Sequence, residues 1–485
     1  MIASLKAVKY PMAKDKFYLT TAIPYVNGKP HIGHALEYLI ADTIHRYKEL
    51  VGIDTRITSG SDENALKNVQ AAQEAGIDTQ KFLDENSKIF EDFYKKLGVE
   101  LDEFRRGTDR QYHWPGVQEL WNRAKENGDL YKKKYKGLYC VGCEEFKTEK
   151  DLTNAKCPIH GKSPELVEEE NYFFKLSKYQ KELLKLIESD KYKIFPEKRK
   201  NEILSFIKLG LKDFSVSRSN KRARGVGVPI PEDDDQKMYV WFDALNIYMT
   251  SSGWGYDEKL WKKWWPADLH IIGKDIIRFH AVYWPAMLLS AKLPLPKSLL
   301  VHGFVTSGGV KMSKTIGNVI DPYEVLEKYD LDPTRYYLLR HIPTLDDGDF
   351  TYEHFEEVYN ADLANGLGNL VSRVAKLCEN SDYKFDKPNY KLDSHLQRHL
   401  DKFRIDKALD TIWQKVEFTD QFISQKEPWK KTGEELKNIL DVCVFEIRQI
   451  GYNLQLFLPE TSKKILEQFG VVDIKSTKAL FPRLK

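Results

Sequence analysis

The stretch KFYLTTAIPYVNGKPHIGHALEYLIADTIHRY, residues 16–47, constrains this chain more than any other. KFYLTT reads as a strand. After it, Leu36, Leu39, Ile40, Ile44 and Tyr47 recur at the spacing of one buried helix face. Between strand and helix stand two imidazoles, His31 and His34, around Ile32 and Gly33. A helix N-terminus that follows a strand favours anions, because its backbone N–H groups are unpaired and its dipole is positive there. Gly33 allows a ligand close to the backbone. His31 and His34 can add donors that stabilise charge on a reacting phosphorus. Taken alone, H-x-G-H is as well explained by a surface turn with two solvated histidines.

Residues 16–125 continue as alternating strand and helix. DTRITSG is the next strand, ending on Ser61, Asp62 and Glu63, and long helices are expected from there to about Lys125. Residues 126–235 change character, with KKKYKGLYC, a cysteine cluster and the acidic loop PEDDDQ, and read as an inserted domain. The alternation resumes at MYVWFDAL, with LHIIG and SLLVHG as further strands, so one parallel sheet is interrupted in sequence. From Tyr352 onward the pattern is helical, which predicts an all-helical C-terminal bundle.

At 485 residues the chain has room for roughly three domains of ~150 residues. A net charge of +3 is too small to argue for a nucleic-acid partner, so only local clustering can. No apolar run reaches the ~18 residues that span a bilayer, and MIASLKAVKYPMAKDK lacks the apolar centre of a signal peptide. An odd set of five cysteines, three of them close together, fits a reducing cytoplasm and a metal site better than a disulfide framework. Cys140-Val-Gly-Cys143 is followed, after thirteen residues, by Cys157-Pro-Ile-His160. Two close ligand pairs across a short loop fit one tetrahedral Cys3His Zn²⁺ site, and four filled positions make it structural. Cys378 and Cys443 sit at apolar helical positions and are expected in the core.

A second basic element gives the opening turn its meaning. VTSGGVKMSKTIGN combines a Gly-rich turn with Lys311 and Lys314, which suits a mobile loop closing on a polyphosphate. In this order, about 280 residues apart, His31-Ile32-Gly33-His34 and Lys311-Met312-Ser313-Lys314-Thr315 resemble the HIGH and KMSKS signatures of class I aminoacyl-tRNA synthetases. AIPYVNG, YVWFDALNIYM and IIGKDIIRFHAVYWPAM resemble the methionyl-tRNA synthetase family, as does most of the chain from about residue 16 to 460.

That resemblance implies a Rossmann-like parallel-sheet α/β catalytic domain, interrupted by a zinc-containing connective insertion and followed by an all-α anticodon-binding bundle. The expected segments are 14–125 and 236–325 for the two catalytic halves, 126–235 for the insertion, 326–360 for a stem-contact linker and 361–485 for the bundle. It implies ATP, with Mg²⁺, as cosubstrate. His31, Gly33, His34, Gly273, Lys274, Asp275, Lys311, Met312, Ser313 and Lys314 are then the expected ATP-binding positions, with His31, His34, Lys311 and Lys314 catalytic.

The residues also make sense for methionine. Trp241, Ala244, Leu245 and Tyr248 fall on one helix face, and Ile276 and His280 lie one turn apart. With Ile23 and Tyr25 they form an apolar, aromatic wall suited to a thioether, whose sulfur–aromatic contacts contribute ~0.3–1.5 kcal/mol each. The resemblance gives Asp62 the substrate ammonium and Tyr25 the closing of the pocket. Outside the resemblance, the same aromatic face reads as ordinary core. Many relatives carry Asp-Glu-His-Gly where this chain has Asp62-Glu63-Asn64-Ala65, so no role of that histidine transfers. An insertion of about 110 residues is too short for an editing domain. Since one methyl group discriminates by only ~1–3 kcal/mol, rejection of homocysteine by binding alone is expected to be imperfect, and the resemblance implies that its adenylate is disposed of by cyclisation.

For tRNA, basic runs stand at Lys132, Lys133, Lys134 and Lys136, in EKRKNE, and at Arg218, Lys221, Arg222 and Arg224. Each can attract phosphate and each is equally a solvated face. Asn369, Arg373 and Trp429 match the family's anticodon readers, with Trp429 stacking on a base and the others supplying polar contacts. The expected partners are L-methionine, ATP and initiator and elongator tRNA(Met), for a cytoplasmic monomer without a C-terminal dimerisation domain. The rivals, a nucleotidylyltransferase and a non-catalytic tRNA-binding paralogue, fit poorly with a helical C-terminal domain and with intact His31, His34, Asp62, Lys311 and Lys314.

Overall fold

The computed structural model describes residues 16–141, 145–158, 161–312 and 317–484, without the side chains of Glu145 and Lys311. The chain forms two compact units, one of residues 1–30 and 51–301, the other of 31–50 and 302–485.

The first unit holds a six-stranded sheet in the order Glu103–Arg106, Asp54–Ser61, Lys16–Thr20, Leu269–Gly273, Ser298–His302, Lys193–Phe195. Lys16–Thr20 pairs in parallel with both Asp54–Ser61 and Leu269–Gly273. Asp54–Ser61 pairs in parallel with Glu103–Arg106, and Ser298–His302 with Lys193–Phe195. The central strands are buried on both faces, as parallel strands covered by helices must be; the last six residues of Asp54–Ser61 are all buried. From Lys16–Thr20 the chain order runs outward on one side, and from Leu269–Gly273 to Ser298–His302 it runs outward on the other, where Lys193–Phe195 from the inserted segment forms the edge. The switch point therefore lies between these two strands, where ligands of open α/β sheets bind beyond the carboxyl ends.

The KFYLTT, DTRITSG, LHIIG and SLLVHG strands are present. Glu103–Arg106 interrupts the expected helical stretch before Lys125. Four residues are too few to show an alternation, and only the neighbour Asp54–Ser61 makes them a strand. The helix face read from MYVWFDALNIYM is split into Val240–Ala244 and Ile247–Thr250.

Within residues 126–235, Leu130–Cys140 pairs antiparallel with Glu165–Phe174. This pairing answers the lysine run. Lys134 stands opposite Glu170 and Lys136 opposite Glu168, while Lys132 Nζ lies 2.7 Å from Asp233. The run is thus half of a cross-strand charge ladder. The RSNKRAR run is likewise not wholly solvated: Arg218 is buried, its guanidinium 4.3 Å from the Tyr239 ring centre.

In the second unit, helix Ile32–Leu50 buries Leu36, Leu39, Ile40, Ile44 and Tyr47. It also buries Asp42, which receives Arg335 Nη2 at 2.6 Å; Arg335 in turn donates to the Phe457 carbonyl. From Tyr352 onward the described elements are helices and short turns, including Asn369–Ser381, Ile405–Lys426 and Gly433–Leu454. Cys378 and Cys443 are in this core, and burial pushes both thiols up to about 12. No helix among the described residues is long and apolar enough to cross a membrane.

Candidate active site

The HIGH turn is a capping box made of imidazoles. His31 precedes the helix, and its carbonyl accepts from His34 N–H at 2.9 Å and Ala35 N–H at 3.3 Å. Its Nδ1 accepts from Gly33 N–H at 3.1 Å, and His34 Nδ1 reaches back to accept from His31 N–H at 3.1 Å. Serine and glutamate do this work in ordinary helices. The N–H groups of His31 and Gly33, expected to await an anion, are thus held by side chains. Because both Nδ1 atoms accept, each neutral ring carries its proton on Nε2 and can donate there. The rings stack with centres 3.8 Å apart. Burial, then the neighbouring His31 and His302, hold His34 well below the usual imidazole range. Gly33 has a local steric reason as well: a Cβ there would meet Cε1 and Nδ1 of His31 at 3.0 and 3.1 Å. One turn into the helix, buried Glu37 meets His302 Nε2 at 2.9 Å.

The glycines before the KMSKT sequence are fixed rather than loose. Val305–Ser307 and Val310–Lys311 form a hairpin whose two-residue turn, Gly308-Gly309, has φ of 61° and 74°. Asp349, which sequence reasoning missed, accepts from Gly309 N–H at 2.8 Å and from Thr306 Oγ1 at 2.5 Å. The backbone of Lys311 closes this hairpin and Met312 follows it. Ser313, Lys314 and Thr315 lie outside the described residues.

The first unit brings most of the expected methionine residues together. Tyr25 and Asp62 form a parallel bridge just beyond the ends of Lys16–Thr20 and Asp54–Ser61. Asp62 N–H donates to the Pro24 carbonyl at 2.8 Å, and Asn68 Nδ2 donates to the Asp62 carbonyl at 2.8 Å. Tyr25 meets Trp241 edge to face, with centres 6.2 Å apart. Trp241 stacks on Phe279 at 3.8 Å and lies 6.4 Å from the His280 ring. Leu245 and Tyr248 are buried in the same core, and Ile23, Tyr25 and Ile276 pack against it; Ala244 is buried beside Leu245.

His280 Nδ1 sits 3.0 Å from the Ile276 carbonyl, which can only accept, so the proton is on Nδ1. Nε2 is then an acceptor, and Tyr248 donates its hydroxyl to it at 2.7 Å. Burial lowers His280 to about 4, so the wall is neutral at ordinary pH. Burial also lowers His270, whose ring lies 4.4 Å from Tyr248. Phe279, His270 and Lys67, whose Nζ is 3.1 Å from the Tyr25 ring centre, were not singled out by the sequence. The Tyr239-Val240-Trp241-Phe242 run carries no sign of which rings will stack. Gly273 ends its strand at the switch point, and Lys274 and Asp275 begin the next turn.

Cys140 ends its strand buried, and Cys157 is also buried. The chain turns tightly at Cys157, whose carbonyl accepts from Gly161 N–H at 2.8 Å. Cys143 and His160 lie outside the described residues, among which no three candidate ligands gather. In the helical region, Asn369 is exposed at a helix start and Arg373 pairs with Asp420 at 2.7 Å. Trp429 is 54% exposed, so it is no buried capping indole.

The family model for class I tRNA synthetases (M) matches residues 17–151 and 147–375. The chain is 41% identical to the methionine–tRNA ligase of Clostridium acetobutylicum, over 94% of this chain and 74% of that one. The chain belongs to the methionyl class I tRNA synthetases. Among other methionyl-tRNA synthetases, that of Brucella suis is 40% identical, over 95% of this chain and 93% of its own length. The methionyl-tRNA synthetase of Mycobacterium tuberculosis in complex with methionyl-adenylate superposes with a TM-score of 0.91 at 37% identity, covering 97% of this chain and all of that one. The methionyl-synthetase sheet, with its helical C-terminal region, is thus shared along nearly the whole chain.

Proposed function

We propose that this chain is a methionine–tRNA ligase. It activates L-methionine with ATP to methionyl-adenylate and pyrophosphate, then transfers methionine to the 3′-terminal adenosine of initiator and elongator tRNA(Met). The observation that carries the reading is the backbone bridge that sets buried Asp62 beside Tyr25, itself edge to face with Trp241 in the wall that Tyr248 and His280 complete. Asp62 receives the substrate ammonium. Ile23, Tyr25, Trp241, Ala244, Leu245, Tyr248, Ile276 and His280 receive the thioether.

The methionine carboxylate attacks the α-phosphorus in line, the α–β bridging bond breaks, and pyrophosphate leaves. His31 and His34 donate from Nε2 to phosphate oxygens as charge builds. Lys311 and Lys314 neutralise the leaving group. Gly273, Lys274 and Asp275 line the nucleotide, Gly33 lets the His31 ring seat, and Met312 and Ser313 belong to the closing loop. Mg²⁺ accompanies ATP.

Buried, sulfur-bearing Cys140 and Cys157 fit two of the four ligands of a structural Zn²⁺, with Cys143 and His160 as the others. When bound, that ion holds the knuckle's fold. Exposed Trp429, with Asn369 and Arg373, reads the CAU anticodon by stacking and polar contact. The five-segment division, the cytoplasmic location and the monomeric state belong to the same reading. Methionine-dependent ATP–pyrophosphate exchange tests it, followed by charging of a CAU-bearing tRNA transcript. Absence of exchange at saturating ATP and methionine would overturn it.

A further inference from the structure

Four buried polar side chains stand beside the methionine wall without touching any atom the reaction uses. Asn64 Nδ2 donates to the Gly107 carbonyl at 2.9 Å and to Asp243 Oδ2 at 2.5 Å. His113 Nε2 lies 2.7 Å from Asp243 Oδ1, and His113 Nδ1 lies 2.9 Å from Thr250 Oγ1. His113 and Thr250 are fully buried, Asp243 is 1% exposed and Asn64 9%. A polar chain this deep is costly unless every member is satisfied, and once satisfied it fixes geometry tightly.

The places it joins are informative. Asn64 is two residues from Asp62, which is itself held by the Pro24 carbonyl and Asn68. Asp243 lies in the helix Val240–Ala244 that carries Trp241, with Leu245 next in line. Thr250 ends the helix that carries Tyr248. The packing between these pieces leaves no slack: a Cβ on Gly60 would meet Ile247 at 2.8 Å, and one on Gly116 would meet Thr250 at 2.7 Å.

We propose that Asn64, Asp243 and His113 are positioning residues for substrate choice. Their bridge sets the distance between the ammonium-holding Asp62 and the wall of Trp241 and Tyr248, and so measures side-chain length. The inference rests on the methionine reading of the pocket. A neutral apolar wall alone separates substrates differing by a methylene only about 10–200-fold, so a fixed depth matters to selectivity.

The test is steady-state exchange with the full chain and three amino acids: methionine, norleucine of equal length, and ethionine, one methylene longer. Asp243→Asn puts an amide against one of two donors. It should raise the KM for methionine about tenfold while the KM for ATP stays within about twofold. The preference for methionine over ethionine should narrow about fivefold, and that over norleucine should hold. His113→Gln, which can still donate to Asp243, should recover most of the ethionine rejection. Should Asp243→Asn fail to fold, Thr250→Val removes only the outer hydroxyl and carries the same test at about threefold. Equal rises in both KM values, or an unchanged ethionine ratio in folded variants, overturn the proposal. A wild-type chain without methionine-dependent exchange would instead overturn the functional reading beneath it.

Discussion

Two histidine-bearing regions of this chain, the HIGH turn and the aromatic wall, use one side chain in opposite ways. At the HIGH turn, Nδ1 of His31 and of His34 accepts backbone N–H, and the proton sits on Nε2. In the aromatic wall, His280 Nδ1 donates to the carbonyl one turn back, and Nε2 accepts from Tyr248. A helix start offers unpaired N–H groups, whereas a helix interior offers carbonyls. The backbone thus chooses the tautomer. At the turn the result is a pair of donors suited to phosphate, and in the wall it is a neutral, fully satisfied ring suited to a thioether.

The contrast can be broken by substitution. The largest effect is expected for His34→Ala, which removes one of the Nε2 donors proposed to meet the reacting phosphate. Its kcat in pyrophosphate exchange should fall by about 10²–10³, with methionine affinity unchanged. Equal losses in both would erase the division of labour between the two regions. Next comes the pH dependence of stability. Folded His280 titrates near 4 and an unfolded histidine near 6.5, so between these values the unfolded chain binds more protons. The stability present above pH 6.5 is therefore lost as pH falls toward 4, by roughly 3 kcal/mol for this group. Urea unfolding at pH 7 and pH 4.5 should show a shallower loss in His280→Gln than in wild type, and identical slopes would contradict a buried neutral ring.

Asp62→Asn should raise the KM for methionine by a few tens-fold, about 2 kcal/mol, with little change in the KM for ATP. Were the KM for ATP to change instead, the carboxylate would belong to the nucleotide. The smallest effect is expected for Gly33→Ala, whose added Cβ must push the His31 ring by a few tenths of an ångström. About 1 kcal/mol of ring strain predicts a three- to tenfold lower kcat. A wild-type rate there would separate His31 orientation from catalysis.

The chain's own pattern fixes a good deal. Leu36, Leu39, Ile40, Ile44 and Tyr47 mark the buried face of the first long helix because burial and helical period are both local properties of sequence. The KFYLTT, DTRITSG, LHIIG and SLLVHG segments are legible as strands between turn signals and helical stretches, and His31, His34 and Lys311 stand out through order and spacing. Glu103–Arg106 is invisible because it is too short to carry a period and is a strand only by its neighbour's hydrogen bonds. The lysines at 132–136 read as a solvated face or a phosphate-attracting run until register places glutamates opposite two of them.

Which side chains would meet was settled only in three dimensions. Asp349 pins the glycine turn from forty residues away, and Phe279 stacks on Trp241 across a similar gap. The proton positions on His31, His34 and His280 also follow from tertiary and helical context, since imidazole's two nitrogens are chemically near-equivalent until a neighbour claims one. Sequence therefore determined the longer elements, the residue types and the family. The tertiary structure decided the pairings, the tautomers and the buried Asn64–Asp243–His113 bridge, because hydrogen-bond partners distant in sequence leave no periodic trace along it.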